Sequence, residues 1–215
     1  MSGVSNVATI AALRLTAAAV IIAALGVQAW ADLTYGTFTW AQLPGYFTPL
    51  AAVCAATALI SATLTGPSEP RWVALLRVNS ATYGVVTGVV YWSLLAGVAT
   101  PVYPWANLVL HGGTGVILVV DWLVVGRTVR VPVRYWWTVL AVPAGWLAYL
   151  LARAVTDGWV PYPFLDPARG AGTVTLSVAA IAAVGLIVAA VLHACAPLRL
   201  IPVRTSAGAE ENRNV

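Results

Sequence analysis

The stretch ANLVLHGGTGVILVVDWLVV, residues 106–125, decides what kind of protein this is. It is apolar almost throughout, and His111 and Asp121 are its only ionisable side chains. Wound as a helix it spans about 30 Å, the thickness of a bilayer's hydrocarbon core. Five more stretches share this character, at about Ile10–Ala31, Pro44–Leu64, Val73–Ala99, Val133–Val155 and Thr173–Ala196. Between them lie breakers: Gly66-Pro67, Pro101 with Pro104, Gly126 before Pro132, and a Pro-rich segment over Asp157–Gly172. The predicted fold is all-α, a polytopic bundle of six transmembrane helices over residues 1–202. A polar, disordered tail is predicted at 203–215.

The composition agrees with that reading. Of 215 residues, 60% are hydrophobic and 8% charged, with a mean hydropathy of +0.87. A water-facing surface needs roughly a quarter to a third charged residues, so a soluble domain is excluded. Disorder along the whole chain is excluded too, because so apolar a chain does not stay solvated. The net charge of +4 does not mark a nucleic-acid binder. All its basic residues are Arg, and they sit scattered at the ends of apolar runs. Cys54 and Cys195 have no CxxC companion and are expected to be buried thiols. His111 and His193, the only histidines, lie far apart, so no metal site is expected. Arg14, the apolar run after it and Ala29-Trp30-Ala31 imitate a cleavable leader. The run is continuous, however, and Trp30 is bulky inside the cleavage motif, so a retained helix is expected.

Arginine bookkeeping gives the orientation. With the N-terminus inside, Arg14, Arg71, Arg77, Arg127, Arg130, Arg134, Arg199, Arg204 and Arg213 fall on the cytoplasmic side. Only Arg153 and Arg169 fall outside, so both termini are expected in the cytoplasm. Trp30, Trp40, Trp72, Trp105, Trp136 and Trp159 lie near span ends, as an aromatic belt requires. Gly84 and Gly88 form a GxxxG on the third span and predict a close helix–helix contact. The absence of Lys and the abundance of Ala, Val and Arg point to a GC-rich bacterial genome, hence the cytoplasmic membrane.

Polar groups within spans are costly in lipid and therefore informative. On the inner half they are Arg14, Arg77, Asn79, Asp121 and His193; on the outer half Thr48, Asn107, His111, Thr114 and Arg153. The second and fourth spans both start outside, which holds the Thr48 hydroxyl and the His111 imidazole at matching depth. If those helices touch, the pair is a nucleophile with its general base. Thr48 before Pro49 also has the makings of a helix N-cap, and His111 of a buried ring bonded to a neighbouring helix. Asn107 and Thr114 share a face with His111 and are candidates to orient the ring or to hydrogen-bond a substrate. Gly112 and Gly113 remove bulk beside the ring, leaving room for a ligand or a helix. Asp121 lies about 15 Å along the same helix, out of reach of the imidazole, and is expected to pair with Arg77 and Arg14. Arg153 either snorkels, pairs with Asp157 or Asp166, or clamps a carboxylate or phosphate head group of a substrate. His193 sits at the cytoplasmic end and is read as interfacial.

Specific motifs accompany these positions. Leu110-His111-Gly112-Gly113-Thr114-Gly115, continuing into Val119-Val120-Asp121-Trp122-Leu123, resembles the fourth-span signature of the androgen-induced membrane hydrolase family. Gly158-Trp159-Val160-Pro161-Tyr162-Pro163-Phe164-Leu165-Asp166-Pro167 is similar to a loop of that family's bacterial branch, often labelled Pr-six-Pr. Tyr46-Phe47-Thr48 resembles its aromatic-Phe-Thr start of the second span. The resemblance implies a cofactor-free threonine hydrolase of fatty-acid esters of hydroxy fatty acids, with Thr48 and His111 as its catalytic pair. The chain departs from the pattern at apolar Pro49-Leu50-Ala51-Ala52, where the branch has a polar turn, and at the double glycine after His111.

The expected function is therefore hydrolysis of a fatty-acyl ester within the bilayer. Thr48 and His111 would be catalytic, Asn107 and Arg153 substrate-binding. The rival class is a small transporter or lipid-binding membrane protein, using His111, Asp121 and Arg77 as stations of a path. No pair of matching interrupted spans marks transporter repeats. A purely structural membrane protein is the third reading, which fits if Thr48 and His111 face different neighbours.

Overall fold

The computed structural model describes residues 2–36, 39–97, 100–126, 129 and 131–195. The predicted tail at 203–215, the span ends Ala99 and Ala196, and Arg127, Arg130, Arg199, Arg204 and Arg213 lie outside the described residues. Six helices follow one another: α1 (Ser2–Tyr35), α2 (Phe47–Thr65), α3 (Arg71–Leu95), α4 (Pro104–Val125), α5 (Arg134–Thr156) and α6 (Ala171–Cys195). Each contains a segment long and apolar enough to cross a membrane, and no strand occurs among the described residues.

Five of the helices match the predicted spans to within a few residues, whereas α1 starts eight residues before the expected Ile10; a smaller difference, at α2, is informative. Pro44 belongs to a 3-10 turn, Trp40–Gly45, and α2 starts only after Tyr46, which is extended at φ −95° and ψ 127°. Thr48 is consequently the second residue of α2 and not its N-cap, which is Tyr46. Pro49 falls in the first turn, where its missing N–H leaves no hydrogen bond unmade.

Small side chains set how the helices pack. Ala51, Ala52, Ala55, Ala56, Ala58, Leu59 and Ala62 are the buried residues of α2, which packs against α1 and α3. Helix α3 is the central element, touching α2, α4 and α6, whereas α5 and α6 are mostly exposed. In lipid, helices gain little from excluding water, so close van der Waals contact has to hold them together. The GxxxG of α3 supplies it. A Cβ on Gly84 would stand 2.8 Å from Gly115 Cα, and one on Gly88 2.9 Å from the His111 carbonyl oxygen. The close approach is thus made at Gly84, Gly88 and Gly115. Gly112 and Gly113, expected to serve it, would meet only ordinary contacts near 3.8 Å if given a Cβ.

One end of the bundle is fastened by charge. The Asp121 carboxylate accepts hydrogen bonds from Arg14 Nε at 2.6 Å and from Arg77 Nη2 at 2.6 Å. Arg77 Nη1 also donates to Glu69 at 3.0 Å and to the Gly126 carbonyl at 3.0 Å. Two guanidiniums and two carboxylates balance one another, and all four side chains are largely buried. The pairing expected of Asp121 forms, with Glu69 from the turn before α3 added to it. Trp122 Nε1 donates to the Leu192 carbonyl at 2.7 Å and joins α4 to α6 at the same end. Cys54 and Cys195 are free and half-buried, short of the full burial expected.

The segment between α5 and α6 folds back onto the bundle. It turns at Gly158, whose φ of 70° suits glycine, and continues through 3-10 turns at Pro163–Leu165 and Pro167–Arg169. Tyr162 and Leu165 bury themselves against Leu150, with Trp146 and Trp159 packed around them. This plug covers the N-terminal end of α2.

Candidate active site

The site lies at the end of the bundle opposite the ion cluster, where α2 and α4 begin. His111 stands in a π-helical turn, Val109–Gly113, that interrupts α4. Two successive glycines lower helical propensity there by about 1 kcal/mol each relative to alanine, which favours a departure from the regular ladder. The facing end of α3, Tyr91–Leu95, is also a π turn.

The Thr48 hydroxyl and His111 Nε2 are 3.2 Å apart. The other ring nitrogen, Nδ1, is 3.1 Å from the Asn107 main-chain carbonyl. A carbonyl only accepts, so Nδ1 carries the proton and a neutral ring leaves Nε2 as acceptor. Thr48 therefore donates to Nε2, the arrangement in which an imidazole can take a hydroxyl proton. The ring is stacked on Tyr91, centroids 3.8 Å apart and planes at 21°. Trp92 Nε1 donates to the His111 carbonyl at 2.9 Å and steadies the backbone of the same residue. The imidazole is held by two hydrogen bonds and one stacked ring, and its backbone by Trp92 and the close passage of Gly88.

Thr48 and His111 both line a cavity of about 290 Å³. Its walls are Val86 and Leu95 of α3, Leu140 and Leu147 of α5, Ile181 and Gly185 of α6, and Tyr162 of the plug. Among the described residues no charged side chain faces it. Ala144 of α5 and Val178 and Ala182 of α6 also line it.

The other sequence candidates lie elsewhere. Asn107 is buried and does not line the cavity; it acts on the ring through its carbonyl, not its carboxamide. Thr114 donates to the Val109 carbonyl of its own helix at 2.9 Å. Arg153 is likewise absent from the cavity wall. Its guanidinium donates to Asp157 at 2.7 Å and to the Tyr149 hydroxyl at 3.0 Å, and lies 4.9 Å from the Trp159 ring. Of the alternatives weighed for it, the pair with Asp157 is the one formed. His193 Nδ1 is 2.9 Å from the Ala189 carbonyl, at the far end of α6.

Sequence reasoning missed Tyr91 and Tyr162. Tyr162 accepts the Phe47 N–H at 2.9 Å, within the first turn of the helix that carries Thr48. Tyr91 lies three residues after Gly88 on α3, so the glycine that allows close approach also marks the neighbourhood of its ring. No protein-family model, no curated protein and no solved structure matches this chain.

Proposed function

We propose that this chain is an intramembrane hydrolase of lipid esters, with Thr48 as nucleophile and His111 as general base. In this reading both termini are cytoplasmic, as the arginine distribution requires, and the site opens to the outer leaflet of the cytoplasmic membrane. Thr48 Oγ1 forms a bond to the acyl carbonyl carbon while its proton passes to His111 Nε2. The tetrahedral intermediate collapses, the carbon–alkoxy bond breaks, and the leaving alcohol takes the proton from His111. Water then repeats the sequence on the acyl-threonine, releasing a fatty acid and restoring the hydroxyl.

The observation that carries this reading is the 3.2 Å contact between a hydroxyl and an unprotonated ring nitrogen at the wall of an apolar cavity. An acyl chain needs little polar lining, which suits a cavity walled by apolar side chains of α3, α5 and α6. The neutral Asn107 carbonyl stands where serine hydrolases place a carboxylate, so it fixes the tautomer without neutralising the imidazolium. A carrier of ions or polar solutes would call for charge along the cavity, whereas Asp121 and Arg77 are taken up in the ion cluster at the other end. The contact also joins the two positions at which the chain resembles the androgen-induced membrane hydrolases.

To test this, the detergent-purified protein is assayed with p-nitrophenyl octanoate beside Thr48→Ala and His111→Ala. The expected result is hydrolysis by the wild type and a loss of at least about a thousandfold in each variant. Full activity in both variants would end the mechanism.

A further inference from the structure

Tyr162 belongs to the plug, yet its hydroxyl reaches the first turn of α2. Its ring is wedged among Tyr46, Trp146 and Phe164, with centroids 6.2, 5.7 and 5.4 Å away, so the hydroxyl is held in one place. The residue is only 7% exposed, and it lines the same cavity as Thr48 and His111. Its oxygen accepts the Phe47 N–H at 2.9 Å. That bond uses a lone pair and leaves the phenol's own proton, which has no acceptor among the described residues. Burial pushes the phenol well above its ordinary pKa, so the proton stays on the oxygen throughout the physiological range.

The helix start offers a second donor. Of the first-turn N–H groups that no carbonyl of the helix can satisfy, Phe47's is held by Tyr162 and Pro49 has none. Thr48's own N–H remains, without an acceptor among the described residues. It is consecutive with the Phe47 N–H and belongs to the residue whose hydroxyl faces His111.

We propose that the Tyr162 hydroxyl, together with the Thr48 main-chain N–H, donates to the carbonyl oxygen of the bound ester and holds the oxyanion formed when Thr48 attacks. This rests on the hydrolase reading above. As Thr48 Oγ1 bonds to the carbonyl carbon, the C=O electron pair moves onto oxygen. The two donors stabilise that charge without giving up their protons, and the pair returns to carbon as the alkoxide leaves. The phenol is held in place by its ring neighbours and the N–H by the helix, and fixed donors near developing charge stabilise a transition state most effectively. Tyr162 has a positioning effect as well, because its acceptance of the Phe47 N–H fixes the turn that presents Thr48.

The test is Tyr162→Phe, which keeps the ring and removes the hydroxyl, assayed on p-nitrophenyl octanoate with Thr48→Ala alongside. A loss of roughly 10²–10³ in kcat is expected, with KM within about twofold of wild type. A long-chain alkyl trifluoromethyl ketone, which adds Thr48 to form an oxyanion, should lose affinity in the same proportion. The matching methyl ketone should bind as before, a contrast that damage to the binding cavity does not produce. A folded Tyr162→Phe with kcat within about twofold of wild type, beside an inactive Thr48→Ala, overturns the donor role and leaves the hydrolase standing. A wild type that hydrolyses no ester, or a fully active Thr48→Ala, overturns both. Should Tyr162→Phe not fold, 3-fluorotyrosine at position 162 keeps the hydroxyl and makes it more acidic. A changed kcat and pH profile then supports the donor, and an unchanged one overturns it.

Discussion

Gly88 of α3 passes so near His111 of α4 that a methyl group on it would stand 2.9 Å from the His111 carbonyl oxygen. The carbonyl is main chain and cannot swing away; it already accepts from Trp92 Nε1. Three residues beyond Gly88, Tyr91 stacks on the imidazole of the same histidine. The packing of α3 on α4 and the aim of the imidazole are therefore one structural fact.

Gly88→Ala is expected to separate the two helices locally and to draw His111 off Thr48. A shift of about 1 Å in a reacting group costs roughly a hundredfold in rate. Overpacking typically costs about 1–3 kcal/mol in stability. Gly112→Ala is the control, because its Cβ meets nothing closer than 3.8 Å. Ester hydrolysis and thermal unfolding of both variants check this. Equal activity in the two would show that the close passage does not set the base.

Asp121→Asn should unfold the protein more easily without touching the chemistry. It removes the charge that Arg14 and Arg77 share, taking the paired carboxylate from buried Arg14 and leaving Arg77 with Glu69 alone. Removing one partner of a buried ion pair costs about 3–5 kcal/mol. The expected outcome is a markedly lower midpoint in denaturation, with kcat per folded molecule within about twofold of wild type. A variant as stable as wild type contradicts the role assigned to the cluster.

The architecture was legible in the sequence because bilayer thickness dictates the length of an apolar run. The six helices, the end-to-end separation of Asp121 from His111, and the matched depth of Thr48 and His111 all follow from counting residues along such runs. Other features depend on contacts that counting does not reveal. Tyr162 is one of eight tyrosines, and its hydroxyl matters only because the plug folds back onto α2. The π turns at Tyr91–Leu95 and Val109–Gly113 shift side-chain register by a fraction of a turn, which hydropathy does not register. Asn107 stands out in the sequence for its carboxamide, whereas its main-chain carbonyl, which any residue provides, holds the ring. Glu69 lies in a turn outside the spans, where hydropathy gives no sign that it pairs with Arg77.

Arg153→Ala is expected to leave hydrolysis within about twofold of wild type. Its guanidinium is already engaged by Asp157 and Tyr149 and does not face the cavity. Asp157 is exposed, and a solvent-facing pair of this kind contributes little to stability. The comparison uses an ester bearing a free carboxylate on its alcohol and one without it. A selective loss for the first would restore Arg153 to the substrate site.

Trapping the acyl-enzyme tests the central claim most directly. The protein is mixed with p-nitrophenyl octanoate, quenched in acid within the first turnover, and digested for mass spectrometry. The account predicts an octanoyl group on the peptide containing Thr48, absent from His111→Ala. Acylation at another residue, or rapid turnover by Thr48→Ala, would contradict it.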